Sequence, residues 1–228
     1  MRLDQDALKK NVAEAAVEYV RDGQVVGLGT GSTIRHVMAK LAERVKQGLR
    51  IKGIPTSLET ERLAIEAGIP LLASDEVWAV DLALDGADQV DPQLNLIKGG
   101  GGALLKEKIV AGDAKRFVVL VDESKLVPVL GGAFPLPVEV VQFGWRVTAQ
   151  HLEGFGCRVA PRMKDGAHFV TEAGHYILDL SFAKIEAPDK LELDMEKIPG
   201  VVTTGLFVKR ADLVLVATQQ GIRTISRP

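Results

Sequence analysis

Three stretches of the chain gather groups able to grip an anion or move a proton. In VGLGTGSTIRHVMAKL, residues 26–41, an apolar run passes through three alternating glycines into hydroxyls and an amphipathic helix pattern. Backbone amides exposed where a strand turns into a helix, together with the positive end of the helix dipole, form a natural anion site. Thr30, Ser32 and Thr33 can add donors around Gly31. Two readings fit this turn: phosphate binding, or Ser32 or Thr33 merely capping the helix while the glycines pack it against the strand. A dinucleotide fingerprint would need glycine at position 32, where serine stands, and the Gly-Lys-Ser/Thr ending of a P-loop is missing. Neither NAD nor ATP is favoured.

In LALDGADQVD, Asp85 and Asp88 stand three residues apart at the end of an apolar strand pattern, with Gly86 and Ala87 between them. Acids there can hydrogen-bond sugar hydroxyls or shuttle protons, or they can serve a solvated turn. In NLIKGGGGALLKEKIV, Lys98 precedes four glycines and Glu107 lies in the following helix, flanked by Lys106 and Lys108. Four glycines carry a large conformational-entropy cost, which points to close backbone approach or unusual torsions. Glu107 by itself reads first as a solvated surface residue of a charged helix. His36, His151, His168 and His175 show no zinc-ligand spacing and read as surface or packing residues, so no metal is expected.

The elements that must position these groups alternate. A helix over Leu8–Val20 leads to the strand QVVGLG, then a helix marked by Ile34, Val37, Met38, Leu41 and Val45, then RIKGIP. Leu58–Ala67 reads as a helix, IPLLAS and VWAVDLALDG as strands, Ala103–Ala111 as a helix and RFVVLVD as a strand. This predicts a Rossmann-like α/β domain, a largely parallel sheet with helices on both faces and its site at the strand carboxyl ends. From Phe134 the order becomes β-α-β-β-α-β: FPLPVEVV, a helix near Trp145–Leu152, CRVAPRM, HYILDLSF, a helix near Leu191–Ile198, and VVTTGLFV. That order predicts a ferredoxin-like α+β domain over 136–207, with 1–135 and 208–228 forming the Rossmann-like domain and ADLVLVAT returning a strand to it.

With 228 residues, 46% of them hydrophobic, the chain can bury a sizeable core in one large or two small domains. A formal net charge of -2 gives no global basic field, so neither nucleic acid nor an anionic membrane is expected as a partner. The single cysteine, Cys157, excludes an internal disulfide and reads as a small buried hydrophobe in a reducing cytosol. No secretion signal and no bilayer-spanning run is visible. A cytoplasmic location is expected.

Taken together, GLGTGST, LDGADQVD, IKGGGGALLKEK, VDESK, FPLPVEV and PGVVTTGLF resemble ribose-5-phosphate isomerase of the A type, in that order and over essentially the whole chain. One local departure is GGGGA where the family often has GGGAA. The resemblance implies interconversion of D-ribose 5-phosphate and D-ribulose 5-phosphate, with Glu107 as catalytic base, Asp85 and Asp88 as active-site acids and Lys98 as a substrate-contacting cation. It further implies a substrate loop over Thr30, Gly31, Ser32 and Thr33, and substrate contacts from Gly86, Ala87, Gly99, Gly100, Gly101 and Lys125. Lys9 matches a phosphate-region lysine of the family's first helix, although Lys9 and Lys10 read equally as surface charges. No cofactor is implied, and a homo-oligomer is, with a homodimer favoured. A free glutamate titrates near 4.3, so burial raising that value would suit Glu107 to proton abstraction. Rival readings are a non-catalytic sugar-phosphate sensor on a related scaffold, against which the joint presence of the acids and Lys98 counts, and a nucleotide-dependent enzyme.

Overall fold

The computed structural model describes residues 3–227. α1 (Gln5–Val17) begins where the Asp4 carboxylate accepts from the Ala7 amide, and it buries Val12, Ala13, Ala16 and Val17. There follow β1 (Val25–Leu28), α2 (Ser32–Lys46), β2 (Lys52–Pro55), α3 (Leu58–Glu66), capped by Ser57, and β3 (Leu82–Gly86). Two short strands, β4 (Gln89–Val90) and β5 (Leu96–Ile97), precede α4 (Leu104–Asp113) and β6 (Phe117–Asp122), after which Glu123–Lys125 form a 3-10 turn. The later elements are β7 (Leu136–Val140), α5 (Trp145–Glu153), β8 (Arg158–Pro161), β9 (Met163–Lys164), β10 (Ala167–His168) and β11 (Tyr176–Ser181). α6 (Pro188–Glu196), β12 (Val201–Thr204), β13 (Leu206–Phe207), β14 (Leu213–Thr218) and β15 (Gly221–Ser226) complete the series.

Packing divides the chain into two compact units. The first ends at Ala87 and takes in Lys106–Lys125 and the chain from Arg210 onward; the second comprises Asp88–Leu105 and Leu126–Lys209. The sequence boundary at 135/136 would instead leave residues 88–105 and 126–135 with the first. They pack in the second because β13 pairs antiparallel with β5 and β5 with β4, and because Leu130 bridges to Ile185 and Leu126 to Val90. Pairing across more than a hundred residues leaves no local sequence signal.

In the first unit the strands lie in the order β15-β14-β6-β3-β1-β2, parallel except for β15. Alternate residues Val26 and Leu28, Leu82 and Leu84, Val118 and Leu120 pack with α1 and α2 in one core. The opposite face is buried as well, with Ala83, Val119 and Val121 inside, which is why these strands read as continuous apolar runs. The strand order reverses between β1 and β3, so their carboxyl ends flank the crevice where ligands bind in open α/β sheets. The glycine turn follows β1, and Asp85 ends β3.

In the second unit β12-β7-β11-β8 form an antiparallel sheet joined by α5 and α6, the ferredoxin-like split unit read from the sequence. Leu136, Val138 and Val140 of β7 alternate into a core with Leu178, Leu180, Leu152 and Met195.

Some expectations are corrected. IPLLAS makes only a single bridge, Gly53 to Leu71, since Pro70 has no amide to continue a ladder. VWAVDLALDG pairs only from Leu82; Val77 is exposed and the Trp78 indole donates to the Ala73 carbonyl. α6 begins three residues earlier than its apolar pattern, with a proline in its first turn. β15 was not anticipated, because an exposed edge strand reading GIRTIS lacks an alternating apolar face.

Candidate active site

The three glycines of the first turn are required for three different reasons. A Cβ on Gly27 would lie 2.4 Å from Val110 Cγ1, so this glycine lets α4 approach β1. A Cβ on Gly29 would lie 2.2 Å from Asp85 Oδ1, so this one makes room for the carboxylate. Gly31 is the N-cap of α2 with φ 106° and ψ -177°, a region essentially restricted to glycine. The capping reading of Ser32 and Thr33 is corrected here: both lie inside the first helical turn, and no side chain caps α2. With no acid in that turn, its positive end carries no compensating side-chain charge.

Asp85 is 4% exposed and anchors the turn rather than facing open solvent. Its Oδ1 accepts from the Thr30 amide at 3.1 Å and from the Gly86 amide at 2.8 Å. Thr30 Oγ1 lies 2.7 Å from Thr56 Oγ1, and Thr60 Oγ1 donates to the Gly29 carbonyl at 2.7 Å. The hydroxyls of Thr56 and Thr60, after β2, therefore brace the turn. The sequence reading assigned them no role, yet the signal was present: TSLET follows a parallel strand, and strand carboxyl ends share one edge of the sheet. Glu107, on α4 and 6% exposed, lines one small cavity together with Asp85, Gly29 and Thr56. The solvated reading of Glu107 is thus overturned, and two acids distant in sequence are brought together. Lys125 ends the 3-10 turn after β6, beside Asp122, whose Oδ1 accepts from the Ser124 amide. Lys9 lies half-buried on α1, a helix packed against α2. Ala87 follows Gly86 and is partly exposed.

The second unit holds the other candidates. Lys98 is 3% exposed; its amide donates to the Gly205 carbonyl at 2.9 Å, and its Nζ sits 5.4 Å from the Phe207 ring centroid, within cation–π range. Gly99 has φ 98° and Gly102 φ 84°, and the Gly102 amide closes the turn on the Gly99 carbonyl at 3.0 Å. Gly100 and Gly101 form the exposed tip of that turn. Asp88 Oδ2 accepts from the Gly100 amide at 2.8 Å, and a Cβ on Gly100 would stand 2.8 Å from Asp88 Oδ1. Asp85 and Asp88 thus do different work, one inside the parallel sheet and the other on the glycine run. Arg162 Nη1 donates to the carbonyls of Gly99 and Gly100 at 2.8 and 3.1 Å, a contact that sequence reasoning missed.

The remaining polar groups fall into packing roles. The His168 ring lies tilted against Tyr176 and edge-on to Trp145, and His175 Nδ1 lies 2.9 Å from Glu139. His36 lies 3.1 Å from an Asp6 oxygen. Cys157 is half-buried beside the second core, and burial pushes its thiol up to about 11.

A profile of ribose 5-phosphate isomerase A (phosphoriboisomerase A) matches residues 52–221. Ribose-5-phosphate isomerase A of Gloeobacter violaceus is 52% identical, covering 98% of each chain, and that of Thermococcus kodakarensis is 46% identical, over 99% of this chain and 100% of its own. Ribose 5-phosphate isomerase A of Methanocaldococcus jannaschii superposes with a TM-score of 0.93 at 44% identity, covering 98% of this chain and 100% of its own. A D-ribose-5-phosphate isomerase solved in complex with phospho-erythronic acid gives 0.96 at 41%, covering 99% and 100%. Sequence and fold agree along the whole length, and the chain belongs to the ribose 5-phosphate isomerase A family.

Proposed function

We infer that this isomerase interconverts D-ribose 5-phosphate and D-ribulose 5-phosphate through an enediol or enediolate. The observation that carries the reading is the pairing of buried Glu107 with Asp85 in one cavity beside the glycine turn. In the forward direction Glu107 removes the proton on C2 of the open-chain aldose, and the electron pair moves through the new C1–C2 double bond onto O1. Glu107 then returns the proton to C1 while the O2 proton moves to O1, so atoms and electrons balance without an external oxidant. Lys98 and the amides of Gly99 and Gly101 stabilise the developing oxyanion, while the Gly100 amide holds Asp88. Asp85 and Asp88 orient the sugar and relay protons between O1 and O2. Ser32 and Thr33 at the start of α2, with Lys125 and Lys9, hold the phosphate, whose binding energy keeps the reactive end in place.

The same reading places the enzyme in the cytoplasm, in the non-oxidative pentose phosphate pathway, as a homo-oligomer with a homodimer favoured. Its support is the family; among the described residues no helix is long and apolar enough to cross a membrane. Light scattering at micromolar concentration gives the oligomer directly.

The test is ketopentose formation from ribose 5-phosphate with EDTA present and no nucleotide, for wild type and Glu107→Gln side by side. A positioned general base contributes on the order of 10²- to 10⁴-fold, and a loss of that size in kcat is expected in the variant. Turnover by Glu107→Gln near the wild-type rate would remove Glu107 from the mechanism. Sugar-phosphate binding without turnover by the wild type would replace the enzyme with a sensor.

A further inference from the structure

Arg162 lies between β8 and β9, outside every motif that drew attention in the sequence, yet its whole guanidinium is committed. Nε and Nη2 donate to the two carboxylate oxygens of Asp179 at 2.9 and 2.5 Å. Nη1 faces the glycine run and donates to the Gly99 and Gly100 carbonyls. The ion pair is mostly shielded, with Arg162 and Asp179 side chains 15% and 22% exposed, so it holds its geometry better than a surface pair. The planar fork is what allows one side chain to grip a carboxylate with one edge and two carbonyls with the other.

The consequence travels through the peptide groups. No cis peptide occurs among the described residues, and in a trans peptide the amide N–H points opposite to the preceding carbonyl. With the Gly99 carbonyl turned to Arg162, the Gly100 N–H must face the other way, and there it meets Asp88 Oδ2 at 2.8 Å. With the Gly100 carbonyl also turned to Arg162, the Gly101 N–H is likewise directed away from the guanidinium. A cation on the carbonyl side polarises the peptide and strengthens its amide as a donor. Glycine tolerates the torsions the turn needs, but its freedom alone would leave these peptide planes unfixed.

We propose that Arg162, oriented by Asp179, is a positioning residue for the isomerisation: it locks the Gly99–Gly100 and Gly100–Gly101 peptides so that their amides serve Asp88 and the reacting oxygens of the sugar. The proposal rests on the functional reading above. Arg162 itself contacts neither substrate nor proton; it acts through two peptide groups and through Asp88.

Steady-state kinetics on ribose 5-phosphate for wild type, Arg162→Ala, Arg162→Lys and Asp179→Asn test it. A misplacement of about 1 Å can cost 10²-fold, so kcat of Arg162→Ala is expected to fall about 10- to 100-fold while KM stays within about threefold. Arg162→Lys keeps the charge but loses the fork, so it restores little of the rate. Asp179→Asn shows a smaller loss of the same kind, which supplies the readout if Arg162→Ala fails to fold. Low millimolar guanidinium restores part of the rate of Arg162→Ala and none of that of Glu107→Gln. A folded Arg162→Ala with wild-type kcat, a loss confined to KM, or full rescue by lysine overturns the proposal and leaves the isomerase reading intact. A wild type without turnover overturns both.

Discussion

In GLGTGST the glycines stand at alternate positions and two of them yield to neighbours, Gly27 to Val110 and Gly29 to Asp85; in KGGGG, the first and last glycines, Gly99 and Gly102, bend the backbone. The first turn is held from behind by regular structure, a parallel strand leading into a helix, with hydroxyls of Thr56 and Thr60 as braces. The second follows a two-residue strand and is held by two side chains, Arg162 on its carbonyls and Asp88 on the Gly100 amide. The difference teaches where each turn is vulnerable. Substitutions in the first reach the chemistry through the Asp85 carboxylate, whereas those in the second act through backbone torsions and through whatever fixes the peptide planes.

The sharpest way to break this comparison is Gly29→Ala. Its Cβ would stand 2.2 to 2.7 Å from three Asp85 atoms, so the carboxylate must move, and kcat is expected to drop at least about 10²-fold. Circular dichroism should stay native; a variant with normal turnover would detach Asp85 from the catalytic geometry. Gly102→Ala should strike stability instead. Its φ of 84° and a Cβ 2.5 Å from the Phe169 ring predict a loss of about 2 kcal/mol in urea denaturation. If the cost appears only in kcat, the two turns are alike after all.

Thr56→Val removes a brace without removing volume. Losing its hydroxyl partner to Thr30 should cost about 1 kcal/mol, read as a severalfold rise in KM with kcat little changed. The smallest expected effect lies away from both turns. The Lys115 ammonium first, and the Val25 amide second, hold the Asp81 carboxyl below its ordinary value. Its folded pKa being depressed, the stability it supplies is present above the unfolded value and lost as pH falls through the folded one. After allowance for screening at this partly exposed pair, Asp81→Asn should cost about 0.5 kcal/mol at pH 7. The gap to wild type should close in melts as pH falls below the ordinary aspartate range.

Much of this was legible in the chain. β1, α2, β3 and β6 were readable because strands buried on both faces leave apolar runs and a helix between them leaves a 3.6-residue stripe. The glycine punctuation marked the turns on which Asp85 and Lys98 lie. Thr56, Thr60 and Arg162 were not assigned roles, for they come from elements whose own sequences carry no unusual composition. The pairing of β13 with β5, and with it the extent of the second unit, was hidden for the same reason. Long-range contacts are set by topology, and two residues of strand announce nothing.

By itself the sequence determined the alternation of elements, the split β-α-β-β-α-β order and the family, since local periodicity and glycine placement record backbone conformation directly. Only the tertiary structure decided what surrounds each group. It buried Glu107 in the cavity of Asp85, left α2 without a side-chain cap, and set Arg162 behind the Gly99 and Gly100 carbonyls. Burial and partner are properties of three-dimensional neighbours, and a lysine-flanked glutamate or a loop arginine acquires either only when distant segments pack.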